Sequence, residues 1–150
     1  MNDSAFAALR DMPLDLQTVA CPYCTKPAAF FADSKQFYRG TDNGPVWACI
    51  RCDARVGCHM GTARPLGRLA NKDLRYWKVQ AHGAFDPIWK AAIEQRMAAG
   101  KSAQQGKCRR KAYAKLAKAL RIPEDECHIG MFDVTRCRKT VELCRSGALA

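Results

Sequence analysis

The sequence has no uncharged apolar stretch that approaches the roughly 20 residues of a membrane-spanning helix. Its N-terminus also lacks the basic start and long apolar run of a secretory signal peptide. Tandem repeats and low-complexity tracts are absent, and the 48% hydrophobic and 26% charged residues are typical of a folded protein. These absences argue against a membrane protein and against wholesale disorder. We therefore expect a soluble, cytoplasmic protein.

Acidic residues are scarce where basic residues are most frequent. Residues 61–121 carry fifteen Lys and Arg against three Asp and Glu, a balance of +12, while the whole chain carries +11. Residues 1–20, in contrast, carry one Arg and three Asp. Because clustered positive charge attracts anions, the sequence predicts an anionic partner for the basic segment.

Cysteine is abundant, but the number of cysteines is odd and four of the nine form two C-x-x-C pairs. Without a visible signal peptide, this pattern favours metal binding in a reducing compartment over a secreted disulfide scaffold. The pairs are CPYC at 21–24 and CIRC at 49–52, with 24 residues between them. Two such turns supply four thiolates to a tetrahedral zinc ion and leave no position open for a substrate. We predict one structural zinc ion bound by Cys21, Cys24, Cys49 and Cys52.

Other metal-binding arrangements remain open from the sequence. A four-sulfur shell also accepts iron, although zinc fits the pattern better. The remaining candidates for a second site are Cys58, His59, Cys108, Cys127, His128, Cys137 and Cys144. We interpret them as core or incidental residues, because four ligands are already present and the later ones lack the close ligand spacing of ordinary zinc modules.

The chain predicts an α+β fold: an N-terminal zinc ribbon followed by about four packed α-helices. A short helix is expected over residues 1–14, the zinc ribbon over 15–60 and a basic helical region over 61–150. Between residues 27 and 50, short aromatic and β-branched runs interrupted by turn residues predict two or three antiparallel strands. We expect the ribbon and the helices to pack together as one unit.

Proline, glycine and capping residues divide the helical region. Helical character begins at about Pro65. Asp86 followed by Pro87 predicts the start of a second helix, because Asp caps a helix and Pro needs no N–H at its first position. Gly100 is placed to end that helix.

Two more helices are predicted after a polar linker at 101–106. From Lys107 onward, apolar residues recur with the spacing of one buried helical face. The last helix is expected to begin at a capping Asp133 and to run to Gly147.

Four stretches of the sequence together resemble one known family: CPYC, WACIRCDARVGCHMGTARPLGRLANKDLR, AHGAFDPIW and AYAKLAKALRIPEDECHIGMFDVTRC. They resemble a small zinc-finger-containing domain family of unknown function that is found mainly in phages and prophages, and they cover most of residues 21–141. The resemblance implies metal binding by the four paired cysteines and a mobile-element origin, hence a bacterial host cell. It implies no activity for individual residues.

The basic helices predict nucleic-acid binding, to DNA or RNA, by a phage or prophage accessory protein. Basic side chains on helices give salt-dependent affinity for phosphates without sequence preference. The predicted contact residues are Arg64, Arg68, Lys72, Arg75, Lys78, Lys107, Arg109, Arg110, Lys111, Lys115 and Lys118.

Two alternative functions remain. A basic surface also suits an acidic protein, so the chain is alternatively a protein-interaction module that docks on host transcription or defence machinery. A metal-dependent nuclease using His82 and His128 ranks lower, because carboxylates able to hold a catalytic magnesium ion are scarce around them. The sequence predicts no membrane partner and reveals no small-molecule substrate.

Overall fold

The structure is a computed structural model that describes residues 19–150. The helix predicted over 1–14 and the first residues of the predicted ribbon lie outside the described residues. The chain divides into two compact units, which meet in sequence between Lys72 and Asp73. The packing of ribbon and helices as one unit stays a prediction.

The first unit contains a three-stranded antiparallel sheet, of which two strands lie in the predicted range 27–50 and the third follows it. Its strands are β1 at Ala29–Phe31, β2 at Val46–Cys49 and β3 at Ala54–Gly57, in the spatial order β1-β2-β3. The central strand β2 is buried along its whole length. The strands contain only three or four residues each, so the stability of the sheet depends on the structure at its two ends.

The core of this unit is small. One cluster of buried residues consists of Cys21, Ala28, Trp47, Cys49, Ala54 and Leu69, and Val46, Ala48 and Ala70 are buried as well. Trp47 is its largest member, and its indole N–H donates a hydrogen bond of 2.6 Å to the carbonyl oxygen of Ala63. Two of the six residues of this cluster are cysteines from the C-x-x-C pairs, which places the predicted metal site inside the core.

Helical structure begins later than predicted. Residues 65–70 extend the sheet region instead, because Arg55 and Ala70 exchange two backbone hydrogen bonds of 2.9 and 3.0 Å, and Cys58 forms a bridge with Pro65. The backbone N–H and carbonyl groups of this segment are therefore paired with β3, and the first helix starts only at Lys72.

Three helices follow, not four. They are α1 at Lys72–Ala98, α2 at Gln105–Leu120 and α3 at Val134–Arg145. The prediction of a helix start at Asp86 and Pro87 was wrong, since Pro87 lies inside α1.

Burial explains why α1 runs through its proline. A proline inside a helix lacks the N–H that would bond to residue 83, and its ring crowds that carbonyl. However, Leu74 and Ala81 before Pro87 and Trp89 after it are buried on the same helix, so tertiary packing holds both halves in one element. Asp86 does not cap a helix. Its Oδ1 accepts a hydrogen bond of 3.1 Å from the Trp89 indole N–H.

The last helix begins where it was predicted. The Asp133 side chain accepts a hydrogen bond of 2.8 Å from the backbone N–H of Arg136, which is the geometry of a helix N-cap. Among residues 19–150, none of the helices combines the length and the apolar character needed to cross a membrane.

Candidate metal centre and basic groove

The sulfur atoms of Cys21, Cys24, Cys49 and Cys52 all lie within 4.8 Å of one another. The Sγ atoms of Cys24 and Cys49 are 3.7 Å apart. A tetrahedral zinc ion with bonds of about 2.3 Å separates its sulfur ligands by about 3.8 Å. A disulfide would bring them to about 2.05 Å, and all nine cysteines are free. The four sulfurs therefore fit the tetrahedral shell of one zinc ion.

The backbone turns tightly at both C-x-x-C pairs, and in the same way. The residue after each pair has a left-handed backbone, with φ of 63° at Thr25 and 47° at Asp53. At the first pair, the backbone N–H of Thr25 donates to the carbonyl of Cys21 at 2.9 Å. A β-branched threonine rarely adopts this conformation, and such strain persists where surrounding structure fixes it. Here the backbone hydrogen bond to Cys21 and a hydrogen bond of 2.6 Å from Thr25 Oγ1 to the carbonyl of Cys24 hold the turn.

The thiols of Cys24 and Cys52 do not ionise equally. A hydrogen bond from the Lys26 backbone lowers the pKa of Cys24 to about 7, although desolvation opposes this effect. Desolvation, followed by the neighbouring sulfurs, raises the pKa of Cys52 to about 12. A divalent cation removes this difference in ionisation, because a coordinated thiol is deprotonated outright. The Arg51 guanidinium, 3.9 Å from Cys24 Sγ, lies where it offsets the negative charge of a four-thiolate shell.

The centre is closed, and its donor set suits a structural ion. Cys21 and Cys49 are buried while Cys24 and Cys52 are partly buried. Four thiolates complete a tetrahedral shell, so no position remains for water or substrate. The arrangement is compatible with one structural zinc ion, as the sequence predicted.

No second metal cluster occurs within residues 19–150. The four paired cysteines are the only described group of three or more His, Cys, Asp or Glu with donor atoms close together. Cys127 and Cys137 are fully buried, and burial raises the pKa of each to about 11. These two behave as core thiols, in agreement with the interpretation of the sequence.

The two histidines considered for a nuclease also lie outside any such described group. His82 Nδ1 is 3.6 Å from Asp86 Oδ2, one helical turn away on α1. The His128 ring lies 5.0 Å from the ring of Tyr113. Each contact is of an ordinary structural kind.

The predicted nucleic-acid contacts fall in both units. Arg64, Arg68 and Lys72 belong to the first unit and the other eight to the second. Lys78 has a structural role, because its ammonium donates a hydrogen bond of 2.7 Å to the carbonyl of Gly130. The six on α2 are all exposed: Lys107, Arg109, Arg110, Lys111, Lys115 and Lys118.

A groove of about 560 Å³ in the second unit collects several of these cations. It lies between the C-terminal half of α1 and the exposed side of α2. Its basic residues are Arg96, Lys101, Lys107, Lys111 and Lys115. Apolar residues also line it, including Ile88, Trp89, Ala92 and Ala112, and no Asp or Glu belongs to its described lining. We call this feature the basic groove.

Sequence reasoning missed two of the cations in the basic groove. Arg96 lies in the last turn of α1 and Lys101 in the short connection to α2. The Arg96 side chain donates a hydrogen bond of 3.1 Å to the carbonyl of Ser102, which ties this connection to the end of α1. The charge of +12 in residues 61–121 already includes Arg96 and Lys101, but only the turn between the helices brings these two residues beside the cations of α2.

Comparison with known proteins agrees with the metal centre. A family model described as a zinc-finger-containing domain matches residues 17–147, a range that contains all four paired cysteines. No match was found among curated proteins or among solved structures.

Proposed function

We propose that this chain, which belongs to the family of zinc-finger-containing domains, binds nucleic acid through the basic side of its helical unit. The observation that carries the proposal is the basic groove, where five cationic side chains converge on one concavity without an acidic residue in its lining. Phosphates are the anions that such clusters of Lys and Arg bind, and each neutralised phosphate releases counterions.

The charge pattern of α2 supports this proposal independently of the groove. The helix carries six cations and no acid, and its first turn contains no acidic residue. The N-terminal end of a helix is partially positive, so Lys107 in the first turn of α2 disfavours the isolated helix by on the order of 0.3 kcal/mol. The partial positive charge of the same end favours a bound anion. This pattern suits phosphate binding better than it suits helix stability.

The cellular setting is a further part of the proposal. The resemblance of the sequence to a family found mainly in phages and prophages supports an accessory role in the cytoplasm of a bacterial host. The nine free cysteines are consistent with the reducing conditions of that compartment. The zinc ribbon then serves as a folded support that needs metal but no disulfide.

A salt-titrated binding experiment with charge-matched variants tests the proposal. The groove variant is Lys107→Gln, Lys111→Gln and Lys115→Gln combined. The control variant is Arg138→Gln, Lys139→Gln and Arg145→Gln combined, which removes the same charge from exposed positions of α3 outside the basic groove. Binding of zinc-loaded protein to fluorescent DNA and RNA is measured by anisotropy at several salt concentrations.

The expected result follows from the number of phosphates that are neutralised. If all five groove cations contact phosphates of a single strand, log K falls with log salt with a slope of about −3.5. The slope should be less steep by about 2 for the groove variant, whereas it should stay near −3.5 for the control variant. Equal weakening in both variants would show that only net charge matters. Absence of salt-dependent binding to any nucleic acid would overturn the proposal and favour docking on a host protein.

A further inference from the structure

The basic groove is a concave surface, and its shape and lining indicate which form of nucleic acid it binds. We infer that it accepts an unpaired nucleic-acid strand rather than a duplex, with a base placed against its apolar lining. This inference rests on the proposed nucleic-acid binding and names the form of nucleic acid that the groove recognises.

The first argument is the spacing of the cations along α2. Lys107, Lys111 and Lys115 are four residues apart and all line the groove. Positions four residues apart in an α-helix lie on one side, separated by about 6 Å along the axis. This separation is comparable to that between successive phosphates of one strand. A single backbone can therefore follow this row of ammonium groups.

The second argument is that the groove is recessed. A protein helix reads duplex DNA by protruding into the major groove, which is about 12 Å wide. Here the row of lysines borders a cleft of about 560 Å³ between two helices. That volume lies within the range of about 300–1,000 Å³ typical of small-molecule pockets, so the cleft has the size to receive a single nucleotide.

The third argument is the apolar lining. Ile88, Ala92 and Ala112 contribute apolar surface inside a ring of cations, and Trp89 lines the same groove with 7% of its surface exposed. The outer surface of a duplex offers phosphates and sugars, whereas an unpaired strand also offers the apolar faces of its bases. Stacking of bases on aromatic side chains is tolerant of sequence and adds to phosphate binding, and Trp89 is the aromatic residue of this lining. The combination of cations and apolar lining therefore matches a single strand.

A groove-filling variant tests this inference without changing charge. Ala92, which is partly buried, lines the groove, whereas the adjacent Ala91 is exposed and does not. Ala92→Phe places a ring in the groove, and Ala91→Phe makes the same substitution on the same helix outside it. Circular dichroism establishes that both variants retain the helical content of the parent. The probes are an oligothymidylate of about 12 nucleotides, within the footprint of known single-strand sites, and a duplex of the same length.

We expect the parent to bind the single strand more tightly than the duplex. Ala92→Phe should weaken single-strand binding by about tenfold, the effect of losing one base contact, while Ala91→Phe changes it by less than twofold. Duplex binding as tight as single-strand binding, or an unaffected Ala92→Phe variant, would overturn the inference while leaving nucleic-acid binding intact. Failure of the parent to bind either probe would overturn the proposed function itself.

Discussion

Removal of the metal is the perturbation whose outcome the structure defines most sharply. A chelator that strips the ion from Cys21, Cys24, Cys49 and Cys52 should unfold the first unit and leave the helices of the second unit in place. Metal binding of structural zinc sites is worth about 10–16 kcal/mol near neutral pH, and in the unfolded chain the four sulfurs are not held together. Chelation removes the ion that joins the two C-x-x-C turns, and with it this contribution to the free energy of folding.

The remaining core of the first unit is too small to replace the ion. Among the described residues of this unit, the largest buried non-ligand side chains are Trp47, Leu69 and Val46, with four buried alanines beside them. Burial of a side chain the size of valine or leucine contributes about 1.5–3 kcal/mol, so the three large residues supply on the order of 5–9 kcal/mol. The metal term is therefore the larger of the two. The helices of the second unit have their own buried residues, including Phe85 and Leu116, and contain none of the ligands.

Hydrogen exchange measured by mass spectrometry separates the two outcomes. After chelation, the backbone of β2 and β3 at residues 46–57 should exchange as fast as an unfolded chain, while peptides from α2 keep their protection. Readdition of zinc should restore protection with one ion bound per chain. The reasoning would be refuted if metal-free protein kept the protection of β2 and the melting curve of the loaded protein. Binding of two zinc ions per chain would contradict the single metal centre.

Four other predictions follow from particular residues. Alkylation at pH 8 should spare Cys127, because burial raises its pKa to about 11 and leaves about one thiolate in a thousand; its labelling should accelerate about tenfold per pH unit above 8. Chelation should expose the four ligand cysteines to labelling, and mass spectrometry that finds a different set would contradict the assigned shell. Pro87→Ala should stabilise the protein by about 1–3 kcal/mol in urea unfolding, because proline disfavours a helix interior. A loss of stability would instead place Pro87 at a helix start. Asp133→Ala should cost about 1 kcal/mol in the same assay through loss of the N-cap of α3, whereas Asp133→Asn should cost little; equal losses would argue against capping.

The metal ligands could be predicted from the sequence because their chemistry is local. Each C-x-x-C pair forms its own turn, so two short motifs specify all four sulfurs without knowledge of the rest of the fold. The same holds for the Asp133 cap, whose hydrogen bond spans only three residues. The short strands were predictable for a similar reason, since turn residues separate them.

Features that depend on distant contacts were harder to predict. Asp86 and Pro87 have the local pattern of a helix start, but burial of Ala81 and Trp89 on either side holds α1 together through the proline. Similarly, residues 65–70 look helical in isolation, yet Ala70 pairs with Arg55 on the edge of the sheet. In each case a tertiary contact outweighs the local preference.

The basic groove shows the same limit for function. Composition located the positive charge within residues 61–121, and helical periodicity placed Lys111 and Lys115 on one side of α2. Neither could place Arg96 and Lys101 beside them, because that requires the turn between α1 and α2. Electrostatic repulsion among five cations around one cleft disfavours the free protein, and a bound polyanion removes this repulsion. The arrangement therefore argues for an anionic ligand more strongly than the net charge of the chain does, since a solvated basic surface would keep its charges apart.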